Sequence, residues 1–319
     1  MKQHISIAIA LMASAGLAAA QTSITDGFGD GDRDNDGSLD GPLTDASDVG
    51  INWYSVGGTT SGGDPKPELT VADDAGGINS GNALFSQSRG SNAELAGFFG
   101  SQVSLGSNIG DTMTLSFDLR LNAASEPLTD LSDSAELRFG LYTDSDNELG
   151  TGGWGTSDGD FDSGSSSPGV GGDSGFFFRT PINDAAPASF ASRIIYEPNN
   201  PDNIAGGSGT ETIRVEDDFG GIYDELSHNI EVTFERILGA PGEDLLITFA
   251  IDGVSFSDTT VGEGLPLGDL ASFDYFVIMM SQDMDYAIDN FSLTTTAIPA
   301  PGVAAVMGLA GLAGVRRRR

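Results

Sequence analysis

Met113-Thr114-Leu115-Ser116-Phe117-Asp118-Leu119-Arg120-Leu121 places an apolar residue at every second position. Successive side chains of a strand point to opposite faces, so this stretch reads as a β-strand with one face buried and one face wet. A helix would scatter the same five apolar residues around its circumference. The period recurs at Leu137, Phe139 and Leu141, and at Ile230, Val232 and Phe234. Further strands are expected over 245–251, 273–280 and 287–293, and no part of 21–297 carries a helical apolar stripe. The 45 glycines fall mostly in turn-like clusters between these runs. Many short strands separated by Gly- and Asp-rich turns predict an all-β fold, one large antiparallel β-sandwich (a jelly roll) over 21–297. Two segments interrupt the pattern: a Gly/Ser/Asp-rich loop over 144–174, which contains Trp154, and a shorter one over 198–209.

Composition narrows the function classes. The chain has 319 residues and a formal net charge of −33. Setting aside Lys2 and the four terminal arginines leaves nine basic residues against 47 acidic ones, a net of −38. Such a body repels nucleic acid and anionic lipid, attracts divalent cations and stays soluble in salt. Cys is absent, which removes disulfides and thiol chemistry. Hydrophobic residues make up 39%, enough for a core.

The two ends read as addresses. Residues 1–20 carry Lys2, an apolar stretch from Ile5 to Leu17, and Ala18-Ala19-Ala20. This is the layout of a secretory signal peptide cut after Ala20, with Ala18 and Ala20 as the small residues at the cleavage site. Residues 298–319 contain Pro299-Ala300-Pro301, an apolar run from Val303 to Val315, and Arg316-Arg317-Arg318-Arg319. That run is shorter than the roughly 20 residues a comfortable membrane helix needs. It predicts a short hydrophobic sorting helix that meets the membrane only transiently, with its arginines on the cytoplasmic side.

This tail resembles the PEP-CTERM sorting signal of Gram-negative bacteria that make extracellular polysaccharide. The family's signal has a Pro-Glu-Pro-like motif, a hydrophobic helix and an arginine-rich end; here Ala300 replaces the Glu. The resemblance implies an exosortase-type enzyme as partner, removal of the tail, and a body destined for the cell-envelope surface or extracellular matrix. Such signals sit on unrelated bodies, so the tail speaks for fate and not activity. The strand order and the closing Ile288-Asp289-Asn290-Phe291-Ser292-Leu293 resemble concanavalin A-like and laminin-G-like jelly rolls. That resemblance implies that an N-terminal strand over 24–28 lies beside the C-terminal strand over 286–295.

Two metal sites are read from the residues, both for Ca²⁺. Asp32-Arg33-Asp34-Asn35-Asp36-Gly37-Ser38-Leu39-Asp40 sets carboxylates at alternate positions around a Gly. Asp32, Asp34, Asp36, the Ser38 carbonyl and Asp40 match the first five ligand positions of a calcium loop. The twelfth position is Leu43 and no helices flank the loop, so it is more similar to dockerin-type or thrombospondin-type-3 loops than to an EF-hand. The same pattern also reads as a solvated acidic turn. In the last strand, unbroken alternation puts Asp289 on one face with Ala287, Phe291 and Leu293. An inward carboxylate needs hydrogen bonds or a cation. Asp26 is the second ligand expected there, and a carboxylate capping backbone N–H groups at a bulge is the competing reading. No organic cofactor is expected.

Catalytic residues are not assigned. His228 is the one histidine outside residues 1–20, and it reads as a surface side chain at the start of a strand. The Glu-x-Asp-x-x-Glu run of laminarinase-like jelly rolls is missing: Glu231 and Glu235 lie four apart with Thr233 between them. Among the aromatics, Trp53, Tyr142 and Phe176-Phe177-Phe178 are expected to fill the core, and Trp154 is the candidate sugar-stacking ring. The sequence therefore predicts an exported, non-enzymatic β-sandwich with a structural, adhesive or polysaccharide-binding role. A polysaccharide hydrolase or lyase on the same fold is the alternative.

Overall fold

The computed structural model describes residues 21–28, 51–56, 68–74, 78, 81–87, 93–122, 128–132, 134–143, 173–183, 191–200, 212–217, 220–239, 243–260, 271–282 and 284–298. The signal-peptide and tail residues, the Asp32–Asp40 loop and Trp154 lie outside these. Fifteen strands are described: β1 (Gln21–Asp26), β2 (Ile51–Val56), β3 (Glu68–Asp73), β4 (Asn82–Gln87), β5 (Ala93–Ser104), β6 (Thr112–Asn122), β7 (Glu136–Thr143), β8 (Asp173–Pro181), β9 (Ser192–Asn200), β10 (Thr212–Asp217), β11 (Ser227–Leu238), β12 (Glu243–Ile251), β13 (Val254–Thr259), β14 (Ser272–Met280) and β15 (Asp285–Thr296). A single 3-10 turn at Leu128–Asp130 is the helical element among the described residues. None there is long and apolar enough to cross a membrane.

The strands form two antiparallel sheets, and the chain is an all-β jelly-roll sandwich. One sheet runs β13-β12-β11-β6-β15-β4-β3, with β1 also pairing β15 to make eight strands; the other has seven, in the order β10-β9-β8-β7-β14-β5-β2. Strand β1 pairs β15 from Gln21↔Thr296 to Asp26↔Phe291, joining the first and last strands as the jelly-roll resemblance implies. Strand β6, the stretch that opened the sequence reading, alternates without exception between buried and partly exposed residues along all of Thr112–Asn122.

Aromatic rings fill the space between the sheets. Phe139 stacks on Phe178 with centroids 5.2 Å apart. Phe117 and Phe249 meet the Phe139 ring edge-on. Trp53 packs against Phe28, Phe276 and Phe291. Edge-to-face and offset contacts of this kind add about 0.5–1.5 kcal/mol each beyond area burial. The β12–β13 hairpin closes through Asp252 (φ 50°) and Gly253 (φ 78°). Both central residues have positive φ, as a type I′ turn requires, and Asp and Gly are the residues that tolerate it.

Two loop boundaries move relative to the sequence reading. Strand β8 begins at Asp173, inside the segment read as loop over 144–174, and β9 extends through Asn200, into the loop read over 198–209. In both places ladder pairing, Asp173↔Asn200, overrides the local preference of Gly, Ser, Asn and Pro for turns.

Candidate functional site

The outer face of the seven-stranded sheet departs from simple alternation. Strands β7, β8 and β14 are buried on both sides, whereas β6 is buried on one. Phe176 and Phe178 belong to the inter-sheet core, but Phe177 belongs to a second buried cluster with Ala96, Tyr142, Ile195, Tyr275, Val277 and Met279. The core assignment of Tyr142 and Phe177 therefore needs correcting: both are buried, on the side of the sheet facing away from the partner sheet. Three consecutive phenylalanines on a strand cannot share one face, and that was the available sign of two-sided burial.

A ribbon of rings crosses this face. Tyr54 on β2 contacts Phe98 on β5 at 5.3 Å, Phe98 contacts Tyr275 on β14 at 5.5 Å, and Tyr275 stacks on Tyr142 of β7 at 5.5 Å with 12° between planes. Tyr54 and Phe98 are partly exposed, and Tyr142 and Tyr275 are buried. The Tyr142 ring is held close to the sheet by two glycines. A Cβ on Gly140 would come within 2.8 Å of its Cε2, and one on Gly175 within 2.7 Å of its Cδ1. Buried hydroxyls need partners. The Tyr142 hydroxyl donates to Glu197 Oε2 at 2.7 Å, and the Tyr275 hydroxyl donates to Asp173 Oδ2 at 2.7 Å.

Two residue rows along the strands from these rings stand three arginines. The register places Arg138 opposite Arg179 and Arg179 opposite Arg193. Arg138 donates through Nε to Glu136 Oε2 at 2.9 Å, and Arg193 Nε lies 2.8 Å from Glu216 Oε1. The Arg179 guanidinium lies over the Phe177 ring, 5.1 Å from its centroid. Sequence reasoning missed this row because its members are separated by 41 and 14 positions and only strand pairing brings them together.

Asp26 and Asp289 do not meet as a pair. Asp26 lies beside Phe291 in the ladder and points between the sheets, where Oδ1 accepts the Phe28 N–H at 2.8 Å and Oδ2 accepts the Trp53 indole N–H at 2.9 Å. Asp289 lies opposite Asp118, whose side chain alternates outward between core residues Phe117 and Leu119. The reason is a bulge. The β15–β6 register shifts between Asp289 and Ser292, and Asn290 takes φ 52°. Tyr286 and Ile288 precede it in the inter-sheet core, and Phe291 and Leu293 follow it there. Ala287 instead packs with Ile78 and Ala83. Asp289 thus shares a face with Ala287 but not with Phe291 and Leu293, and its Oδ1 accepts the Asn290 N–H at 2.6 Å. Among the described residues no three His, Cys, Asp or Glu side chains converge as a metal-binding group.

His228 is more constrained than a free surface side chain. Its Nδ1 lies 2.8 Å from Asp252 Oδ2 and its Nε2 lies 2.9 Å from Asp224 Oδ1. Partial burial alone would raise the Asp224 carboxyl. The Leu226 N–H and the His228 ring outweigh it and hold that carboxyl below its usual range. Glu231 lies on the exposed side of β11, and Glu235 is partly exposed there.

No protein-family description matches the sequence, and no curated protein matches it. Solved structures do share its outline. Peanut lectin with a nonapeptide is similar at 11% identity and TM-score 0.42, over 87% of this chain and 98% of that one. An alginate lyase variant in complex with alginate tetrasaccharide is similar at 14% identity and TM-score 0.43, over 85% and 96%. Winged bean acidic lectin with methyl-α-D-galactose is similar at 10% identity and TM-score 0.40, over 87% and 99%. What this chain's own face can bind is decided by its side chains.

Proposed function

We propose that the chain is an exported, non-enzymatic β-sandwich of the cell surface or extracellular matrix that binds polysaccharide on the outer face of its seven-stranded sheet. The observation that carries this reading is the ring ribbon, which ends in the partly exposed Tyr54 and Phe98 and lies on the same face as the arginine row. Apolar ring faces suit sugar C–H groups, and convergent polar groups suit hydroxyls. Export through the signal peptide cut after Ala20, and release by an exosortase-type enzyme acting at Pro299-Ala300-Pro301, belong to the same proposal. So does Ca²⁺ held by Asp32, Asp34, Asp36, the Ser38 carbonyl and Asp40.

The hydrolase or lyase alternative draws on the Tyr142–Glu197 and Tyr275–Asp173 pairs, which join proton-carrying groups on this face. Tyr142, Tyr275 and Glu197 have 0% exposure, which sets them away from a substrate. A glycan array probed with and without EDTA, together with a polysaccharide turnover assay, tests the reading. Binding without turnover, lost in a folded Tyr54→Ala variant, is expected. Calcium-independent turnover would overturn the non-enzymatic assignment, and an empty array would overturn binding. Loss of binding in EDTA would support the Asp32–Asp40 loop as a calcium site.

A further inference from the structure

We infer that one end of the eight-stranded sheet, the end from which both chain termini leave, is a membrane-facing surface. Its apolar tip is Ile109, Leu238 and Ile298, and its partner is the zwitterionic surface of a lipid bilayer; this rests on the reading of residues 1–20 and 298–319 as membrane-inserting addresses. Strand register brings the three side chains to one end. Gln21 of β1 pairs Thr296 of β15, Thr296 pairs Thr112 of β6, and Thr112 pairs Glu235 of β11. Just beyond this row the turn before β6 is tied to β11. The Gly110 N–H donates to the Arg236 carbonyl at 2.7 Å, and the Arg236 N–H donates to the Asp111 carbonyl at 2.9 Å. Ile298 lies over the same turn, where a Cβ on Gly110 would come within 2.5 Å of its Cδ1. Ile109, Leu238 and Ile298 keep 45%, 79% and 47% of their exposure. Apolar residues exposed singly are ordinary, whereas three at the ends of adjoining strands mark a contact surface.

The chain leaves the body here on a short tether. Asp111 Oδ1 accepts the Ile298 N–H at 2.5 Å, and Asn108 Nδ2 donates to the Ile298 carbonyl at 3.2 Å. Asp111 is itself buried, and its Oδ2 accepts the Asn108 N–H at 2.7 Å. The body is thus held as far as Ile298, and the apolar run begins at Val303, five residues on. Five extended residues reach at most about 18 Å. The headgroup layer takes about 5–8 Å of that. At the other terminus, Leu17 stands four residues before Gln21, a reach of at most about 14 Å. With either apolar run in a bilayer, this end of the sheet lies against the headgroups. Taking charge out of water is costly unless it is paired. Asp111, Arg236 and Asp244, which lie at this end, are already buried in the protein. Glu243 stands opposite Leu238 in the ladder, and the body's excess of acids opposes anionic lipid, so the tip suits zwitterionic headgroups.

The chain has no cysteine, so single fluorophores can be placed on the full chain. Leu238→Cys labels the tip. Val254→Cys labels an exposed apolar position at the opposite end of β12, where Val254 pairs Ile251. Each labelled chain is mixed with phosphatidylcholine vesicles whose acyl chains are brominated near the headgroup. Flotation with the vesicles is expected, with strong loss of fluorescence at position 238 and none at position 254. Ile109→Asp, a change at an exposed site, should reduce the loss at 238 while leaving flotation and thermal unfolding near those of the unsubstituted chain. Flotation with equal quenching at the two labels, or unchanged quenching in Ile109→Asp, would overturn the membrane-facing tip and leave the reading of the two termini standing. Failure to float would overturn that reading and the tip with it. Disulfide pairing of unlabelled Leu238→Cys chains in solution would assign the tip to a second copy of the chain and overturn the lipid assignment.

Discussion

The two sheets present opposite kinds of outer face. On the eight-stranded sheet one row runs Ser257, Thr248, Thr233, Thr114, Thr294 and Ser23 in register across β13, β12, β11, β6, β15 and β1, every member at least partly exposed. On the seven-stranded sheet the corresponding side holds buried Tyr142, Phe177, Ile195 and Tyr275 beside a line of arginines. A single rule, apolar inward and polar outward, describes that row and fails for the second sheet. The failure marks strands covered on both sides, because a sheet buried on both faces has given up the simplest way of staying solvated.

The contrast can be broken most directly by truncation on the two outer faces. Phe177→Ala should destabilise the protein by about 3–5 kcal/mol, the cost of an aromatic truncation in a core. Thr233→Ala should stay within about 0.5 kcal/mol, as a surface change does. Chemical unfolding measures both, and equal effects would mean that the two faces do not differ as described. A smaller effect is expected where the sheets are tied together. Asp26→Ala removes the acceptor for the Trp53 indole N–H inside the core, which should cost about 1–3 kcal/mol. Asp26→Asn keeps an oxygen acceptor and should recover part of that loss. The smallest effect belongs to the rim of the eight-stranded sheet. Asp224 has a folded value below its ordinary 3.8, so ionised Asp224 favours the fold. That contribution is complete above 3.8 and is lost as pH falls through the lower folded value. The melting temperatures of the unsubstituted chain and Asp224→Asn should therefore differ slightly at neutral pH and converge in acid; a constant difference would sink the assignment.

Much of the fold was legible. The alternation of Met113 to Leu121 and Ile230 to Phe234 marks β6 and β11 because burial of one sheet face imposes period two on sequence, and Leu137, Phe139 and Leu141 mark the inter-sheet side of β7. The neighbourhood of first and last strands followed from the jelly-roll resemblance. The candidate site was far less legible. Unbroken alternation would have set Asp289 inward with Phe291 and Leu293; one extra residue at a bulge puts it on the other face, where it accepts the Asn290 N–H, the competing reading of this carboxylate. The stacking of Tyr142 on Tyr275 depends on Gly140 and Gly175 lying beneath one ring, a close approach that local sequence does not encode.

By itself, the sequence determined a class of molecule: an acidic, cysteine-free, all-β chain whose alternating strands need a second sheet to cover them. Those properties are local or additive, and each residue contributes to them without knowing its partners. Only the tertiary structure decided which positions face one another across strands. It alone set Arg138, Arg179 and Arg193 in one line, sent Asp26 and Asp289 to opposite sides of their sheet, and buried both faces of β8. Ladder register is a long-range property, and a candidate site built across six strands, β2, β5, β14, β7, β8 and β9, exists only once that register is set.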